Sequence, residues 1–183
     1  MKLIFPTSID KKRFLEYLEE YPANGDKSEL APLGLLDFTS WEDWFAGVHV
    51  NLYKIDGPSS TTLFACQYKR IFGVVRIFHQ LSQPDTGGHI YYSLRPTLQD
   101  DVFIHAKVVT YALKRCRVMG IGTAYMTCNT TDVNRANAIV QRGGVYEKTF
   151  QDENGHMVAR YSFTFAVTRT DELRSGYGIL YGK

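Results

Sequence analysis

The apolar pattern in the middle of the chain changes from strand-like to helix-like and back, and this order limits the folds open to it. Three β-branched and aromatic runs over 61–68, 71–79 and 89–94 are separated by turn residues and predict consecutive antiparallel strands. A helical stretch ending near Val118 follows, and then a short apolar strand over 123–128. A strand, a helix and a further strand in this order predict a parallel pair within a mixed sheet.

Helices are predicted where apolar residues recur at spacings of three and four. The first covers 9–21 after Thr7 or Ser8, and the second follows Thr39 or Ser40 and closes at Gly57. The third carries one stripe formed by Val102, Ala106, Val109, Leu113 and Cys116. The fourth is marked by Val133, Ala136, Ile139 and Val140, and the runs 145–150 and 157–165 predict a closing hairpin.

The length of 183 residues and the 44% hydrophobic content suit one compact domain, which we predict over 1–167. Residues 168–183 form an extension that is too apolar for a free tail, because three Gly and two Tyr surround Ile179 and Leu180. We expect this extension to be a docked strand or a subunit contact in a homodimer.

The charge balance argues against two classes of partner. Twenty-one Lys and Arg face nineteen Asp and Glu, and the net charge of +2 is too small for a nucleic-acid footprint or a polybasic membrane patch. The apolar start at 3–5 meets Pro6 and then charged residues, so a cytoplasmic location is predicted. Three widely spaced cysteines and five histidines lack the spacing of a metal site, and no metal is expected.

The segment 87–96, which reads G-G-H-I-Y-Y-S-L-R-P, resembles a motif of one bacterial subgroup of predicted GNAT N-acetyltransferases. The strand 72–81 is similar to that subgroup's V-G-x-I-x-I-R-H-x-L pattern, and the stretches 127–129 and 139–144 are similar to its T-C-D and V-I-E-x-N-G-G patterns. The resemblance implies an α/β (α+β) GNAT fold, with a mixed sheet of about seven strands and about four flanking helices.

The resemblance also implies a site for acetyl-CoA as co-substrate, between the fourth and fifth strands. The positions that it carries over are Tyr92, Ser93 and Leu94 on the fourth strand, Gln99, Val102, Phe103 and Ile104 in the diphosphate loop, and Asn129 and Asp132 after the fifth strand. An anion binds such a loop because glycines let main-chain N–H groups approach it and the helix N-terminus adds positive charge.

This chain departs from the glycine pattern of that loop. Val102 and Ile104 stand at the two small positions, and the carboxylates of Asp100 and Asp101 precede them. We expect one of these aspartates to cap the following helix, which removes an empty anion site. Asp132 likewise lacks the amide donor of the family's asparagine.

Acetyl transfer to an amine needs a group that accepts the amine proton. His79 and His89 are the candidate bases, with a structural role for each histidine as the alternative, and Glu147 and Tyr125 are further titratable candidates. An aromatic set could line an acceptor pocket or form core, namely Trp41, Trp44, Phe45, Tyr91 and Tyr92.

Two functions follow from these patterns. The first is an acetyl-CoA-dependent N-acetyltransferase that acts on an amine of a small molecule or peptide. The alternative is a non-catalytic GNAT-fold binding or regulatory protein that has lost tight CoA binding. The run 100–105, in which Val102 and Ile104 stand at the two small positions and Asp100 and Asp101 precede them, is the sequence feature that separates them.

Overall fold

The structure is a computed structural model, and it describes residues 1–7, 10–21, 33, 40–81 and 83–165. Its strands are β1 (Lys2–Ile4), β2 (Ser60–Gln67), β3 (Arg70–Phe78), β4 (Ile90–Leu94), β5 (Thr123–Asn129), β6 (Val145–Gln151) and β7 (Met157–Thr164). Its α-helices are α1 (Lys11–Leu18), α2 (Trp41–Leu52), α3 (Val102–Val118) and α4 (Val133–Gln141).

All seven strands form one sheet in the order β1-β2-β3-β4-β5-β7-β6. Strands β1 to β4 pair antiparallel, β4 and β5 pair parallel, and β5, β7 and β6 pair antiparallel again. The three antiparallel strands, the central parallel pair and the closing hairpin predicted from the sequence are therefore confirmed. So is the mixed seven-stranded sheet with four helices of the GNAT fold.

Helices α1 and α2 cover one face of the sheet with aromatic side chains. The ring of Phe14 stacks on Trp44 at 4.4 Å and lies 5.0 Å from Trp41, and Trp44 stacks on Phe64 of β2. The cap predicted for α2 is present, because Ser40 Oγ accepts the main-chain N–H of Asp43. The tryptophans predicted as pocket or core thus lie in the core.

Helices α3 and α4 cover the opposite face. The predicted stripe of α3 is confirmed, since Ala106, Val109, Leu113 and Cys116 are all buried against the sheet. The predicted fourth helix is confirmed as α4, which buries Ala138 and Ile139 and leaves Val133 and Val140 exposed.

One helix boundary and one strand differ from the sequence expectation. The first helix is shorter than 9–21, because Glu19 and Glu20 already form a turn after Leu18. Strand β1 was not predicted, since three residues carry too little pattern to distinguish a strand from an apolar start. The extension 168–183, predicted as a docked strand or subunit contact, lies outside the described residues.

The cysteines are unpaired thiols. Cys116 and Cys128 are buried in the core and Cys66 is half-buried, so the first two pack as small apolar residues. Within the described ranges, no helix has the length and apolar character to cross a membrane.

Candidate functional site

The central parallel pair of the sheet is open over most of its length. Strands β4 and β5 are in register at one pair only, Ile90 with Met126. Beyond it, β4 continues to Leu94 and β5 continues to Asn129. The two strands thus separate in a V, at the place where the resemblance implied the acetyl-CoA site, and its closed end lies at Ile90.

The main chain of β4 faces this opening. Phe78 N–H donates to His89 and Arg95 N–H donates to Phe72, so the odd-numbered residues of β4 make the hydrogen bonds to β3. Because hydrogen-bonded and non-hydrogen-bonded pairs alternate along an antiparallel ladder, Tyr92 and Leu94 direct their N–H and C=O groups toward β5. The opening is therefore lined on one side by main-chain polar groups.

Side chains of β4 alternate between the two faces of the sheet. Ser93 is fully buried toward α1, where its Oγ accepts the hydroxyl of Tyr17 at 2.9 Å and contacts that of Tyr21. The Tyr21 hydroxyl also donates to the carbonyl of Leu94. These bonds fix the end of β4 at the open end of the V.

The N-terminus of α3 is already occupied by a side chain. Asp101 is the N-cap, and its Oδ1 accepts the main-chain N–H groups of Phe103 and Ile104 at 2.9 and 3.1 Å. The expected cap is thus confirmed. Val102 is half-buried, Ile104 is buried, and Phe103 is 79% exposed. An anion that approached this helix would meet the Asp101 carboxylate in place of open N–H groups.

A buried hydrogen-bonded chain crosses from β4 to the turn before α3. His105 Nε2 lies 2.7 Å from the carbonyl of Gln99 and must donate to it, since a carbonyl only accepts. Nδ1 then accepts the hydroxyl of Tyr92 at 2.8 Å. Burial lowers the pKa of His105 below its ordinary value of 6.5, so the ring is neutral in this arrangement.

The N-terminus of α4 carries a similar cap. Asp132 Oδ1 accepts the N–H of Arg135, and Oδ2 pairs with Arg135 Nε at 2.9 Å. The Arg135 guanidinium lies 4.7 Å above the ring of Tyr92. Asn129 Oδ1 accepts the N–H and hydroxyl of Thr131. Asp132 and Asn129, both predicted to contact the cofactor, thus have local structural partners.

His79 lies at the end of β3, beyond the closed end of the V. Its Nδ1 is 2.8 Å from the hydroxyl of Ser59 and its Nε2 is 2.8 Å from the hydroxyl of Thr61. Burial lowers the pKa of this histidine. Because both ring nitrogens have partners within the fold, a hydroxyl would have to move before His79 could accept a substrate proton.

His89 lies directly before β4, beside the closed end of the V. Its main-chain N–H donates to the carbonyl of Tyr125, and its Nδ1 accepts the N–H of Tyr125 at 3.2 Å. Its ring stacks on that of Tyr125 at 5.8 Å. Burial and the charge of Arg160 lower its pKa. The neutral ring therefore carries its proton on Nε2, which acts as a donor.

Arg160 of β7 completes this group. Its side chain is 4% exposed, and its guanidinium lies 4.0 Å above the ring of Tyr125. Its Nε is buried without a hydrogen-bond partner among the described residues, and lies 3.5 Å from Oε2 of Glu147. Glu147 falls where the register between β6 and β7 shifts, so a bulge turns its carboxylate toward Arg160.

These four side chains, His89, Tyr125, Glu147 and Arg160, form what we call the β5 cluster. It lies at the closed end of the V, since Tyr125 precedes the paired residue Met126. Arg160 was missed in the sequence, where one arginine in a strand has no distinguishing signal. His79 stands apart, with its own hydroxyl partners. Within the described part of the chain, no group of His, Cys, Asp or Glu could hold a metal ion.

The architecture built from these elements, a seven-stranded mixed sheet with an open central parallel pair, is the GNAT fold. No protein-family model and no curated protein matches the sequence. Solved structures do match. The microcin C7 self-immunity acetyltransferase MccE, in complex with acetyl-CoA and AMP, aligns over 89% of this chain and 91% of its own, with a TM-score of 0.61 and 13% identity.

Two further solved structures share the fold at similar distance. The GNAT domain of S. lividans PAT aligns over 90% of this chain and 89% of its own, with a TM-score of 0.60 and 16% identity. The aminoglycoside acetyltransferase AAC(6')-Ib, in complex with ribostamycin and coenzyme A, aligns over 95% and 96%, with a TM-score of 0.61 and 13% identity. The chain thus has the fold of these acetyltransferases.

Proposed function

We propose that this protein is an acetyl-CoA-dependent N-acetyltransferase that acts on the amine of a small molecule. The observation that carries the proposal is the opening between β4 and β5, where the N–H and C=O of Tyr92 and the N–H of Leu94 are directed toward β5. The pantetheine arm of acetyl-CoA is an extended chain with amide groups. A strand with main-chain groups directed into a gap suits such a chain, because extended ligands bind by strand-like hydrogen bonds.

The reaction needs few groups from the protein. Acetyl-CoA supplies a thioester, and the acceptor supplies an ammonium that first loses a proton. The amine nitrogen attacks the carbonyl carbon, the C–N bond forms, and a second proton leaves as the C–S bond breaks to give a thiolate that is then protonated. The carboxylate of Glu147 suits removal of the first proton from the acceptor ammonium. The Nε2–H of His89 suits donation to the thioester oxygen, which becomes negative when the amine attacks the carbonyl carbon.

The diphosphate of acetyl-CoA does not fit the N-terminus of α3, where the Asp101 carboxylate lies. A diphosphate at the N-terminus of α3 would need the N–H groups of Phe103 and Ile104, which Asp101 already holds. A phosphate charge about 5 Å from this carboxylate would be repelled by about 3 kcal/mol at an effective dielectric of about 20. Such repulsion alone weakens binding about 100-fold.

This cap is the observation that favours the second function, a non-catalytic GNAT-fold protein without tight CoA binding. The buried chain from Tyr92 through His105 to Gln99 supports it as well, because it uses polar groups of the loop for internal bonds. The two functions make different predictions for ligands with and without the diphosphate.

Calorimetric titration with acetyl-CoA and with S-acetylpantetheine separates them. Asp101→Asn is the informative variant, because Asn caps a helix as well as Asp does but carries no charge. We expect both ligands to bind the wild type. Asp101→Asn should tighten acetyl-CoA up to about 100-fold and leave S-acetylpantetheine unchanged.

The matched control is Asp56→Asn, which removes an exposed carboxylate away from the opening. It should change neither affinity. Release of free thiol from acetyl-CoA in the presence of small amines then measures transfer directly. If neither ligand binds the wild type or Asp101→Asn, the acetyltransferase proposal is overturned and the non-catalytic function stands.

A further inference from the structure

The β5 cluster contains a buried cation, Arg160, whose Nε has no hydrogen-bond partner among the described residues. Arg160 is 3% exposed, yet its Nε has no hydrogen-bond partner there, and its nearest carboxylate oxygen is 3.5 Å away. A buried guanidinium is costly unless its N–H groups are bonded. A planar anion such as a carboxylate is the ligand that this fork of donors matches.

The surrounding groups favour an anion at the same place. His89 presents Nε2–H, because its Nδ1 accepts the N–H of Tyr125. Lys148 is the register partner of Arg160 on β6, and side chains of directly opposed residues lie on the same face. With neutral His89, Arg160 brings one positive charge to the cluster and Lys148 carries a second at the paired position of β6.

Glu147 places a hydrogen-bond acceptor beside the Arg160 donor. Its Oε2 is 3.5 Å from Arg160 Nε, so an acceptor and a donor of charge-assisted hydrogen bonds lie side by side. An α-amino acid carries its ammonium and its carboxylate on one carbon, with opposite charges equally close together. Such a ligand can exchange the internal pair for two external ones, with its carboxylate on Arg160 and its amine on Glu147.

We infer that the acceptor is an amine that carries a carboxylate next to it, as in a free amino acid, and that Arg160 and Glu147 recognise these two groups. The inference rests on the proposed function, since it places the acceptor amine at the closed end of the V, beside Met126. It also excludes polyamines, whose second positive charge would face Arg160 and Lys148.

The experiment compares amino acids with the amines that lack only the carboxylate. Each pair, such as leucine and isopentylamine or tyrosine and tyramine, is assayed with acetyl-CoA by thiol release, and spermidine is included. The wild type should prefer at least one amino acid over its matched amine by about 30-fold or more in kcat/KM. Equal or better turnover of the amines would overturn the inference.

Arg160→Gln should bring this preference close to parity, while Arg160→Lys should keep part of it because the charge is retained. Glu147→Gln should weaken amino acids and amines alike, since both bring an ammonium. Arg142→Gln, at an exposed arginine beyond α4, is the matched control and should leave the preference unchanged. Melting curves of every variant separate a loss of fold from a loss of recognition.

A binding measurement without acetyl-CoA decides the inference if no amine is acetylated. Amino acids and matched amines are titrated into wild type and Arg160→Gln and followed by histidine NMR. An amino acid should bind the wild type and shift the ring signals of His89, and Arg160→Gln should lose both effects. If amino acids bind no better than their amines, or nothing binds, the inference fails. If they bind without turnover, only the proposed function fails.

Discussion

The hydroxyl of Tyr92 lies 2.8 Å from Nδ1 of His105, and this bond joins β4 to α3 inside the core. His105 is 1% exposed, and its other ring nitrogen donates to Gln99. Burial lowers its pKa below 6.5, so protonation of the ring is unfavourable in the folded state. Protonation would also reverse this bond, because Nδ1 would become a donor and the hydroxyl would have to accept.

The first prediction concerns stability and pH. Because the folded pKa of His105 lies below the unfolded value, the unfolded state binds more protons as the pH falls below about 6.5. The contribution of His105 to the free energy of unfolding is complete above that pH. As the pH falls below it, this contribution decreases by at most about 1.4 kcal/mol per pH unit. Urea unfolding at about pH 7.5 and 5.5 measures it.

His105→Gln is the test variant, since it cannot be protonated. It should be less stable than wild type at pH 7.5 but lose less stability on acidification. His49→Gln is the control, because His49 is exposed on α2. If acidification lowers the free energy of unfolding equally in His105→Gln and wild type, groups other than His105 cause the loss of stability.

The second prediction concerns the close approach of β3 to β4. A Cβ on Gly73 would lie 2.3 Å from the carbonyl oxygen of Ser93, a main-chain atom that cannot move without opening the sheet. Gly73→Ala should therefore destabilise the fold by about 1–3 kcal/mol or more. Gly122→Ala, which meets no atom within 4 Å, should change stability by less than about 1 kcal/mol. Equal unfolding midpoints for the two variants would show that β3 and β4 can separate enough to accept a Cβ at Gly73.

The elements of the fold could largely be predicted from periodicity. The stripe on α3 repeats every three and four residues over four turns, and no other secondary structure buries such a set on one side. The parallel pair followed from element order. The buried face of α4 could not be predicted in this way, because Val133 and Val140 are apolar but exposed, and tertiary contacts decide which side of the helix is covered.

The candidate site was predicted less well, for a physical reason. Helix caps are local, so a cap by Asp100 or Asp101 could be predicted from their place before an apolar stripe, and the structure shows that Asp101 is the cap. The pairing of Arg160 with Glu147 depends on a bulge in β6, which shifts a side chain by one register position. The partners of His79, two hydroxyls around the start of β2, depend on the register of β2 with β3. Strand registers and bulges leave no periodic trace in one sequence.

The third prediction concerns thiol chemistry. Burial raises the pKa of Cys116 to about 12 and that of Cys128 to about 11, so both thiols stay protonated near neutral pH. Since the thiolate is the reactive form, native protein should be alkylated by iodoacetamide far more slowly at these positions than unfolded protein. Mass spectrometry of peptides after timed labelling measures the rates. Fast native labelling at Cys116 would show that α3 opens locally.

The fourth prediction concerns the hydrogen bond between Tyr21, three residues after α1, and Leu94 at the end of β4. The hydroxyl of Tyr21 donates to the buried carbonyl of Leu94 and contacts Ser93 Oγ. Tyr21→Phe keeps the ring and deletes the hydroxyl, which leaves that carbonyl without this donor. A buried polar group deprived of its partner costs about 1–3 kcal/mol, so the unfolding free energy should fall by that amount.

Tyr53→Phe is the matched control for this variant, since Tyr53 is 78% exposed and its hydroxyl is deleted at the surface. It should change the unfolding free energy by less than about 0.5 kcal/mol. The urea dependence of unfolding should be the same in both variants, because neither alters the area buried. If Tyr21→Phe unfolds at the same urea concentration as Tyr53→Phe, the hydroxyl of Tyr21 does not hold the end of β4. The open end of the V would then depend on the bond of Ser93 to Tyr17 instead.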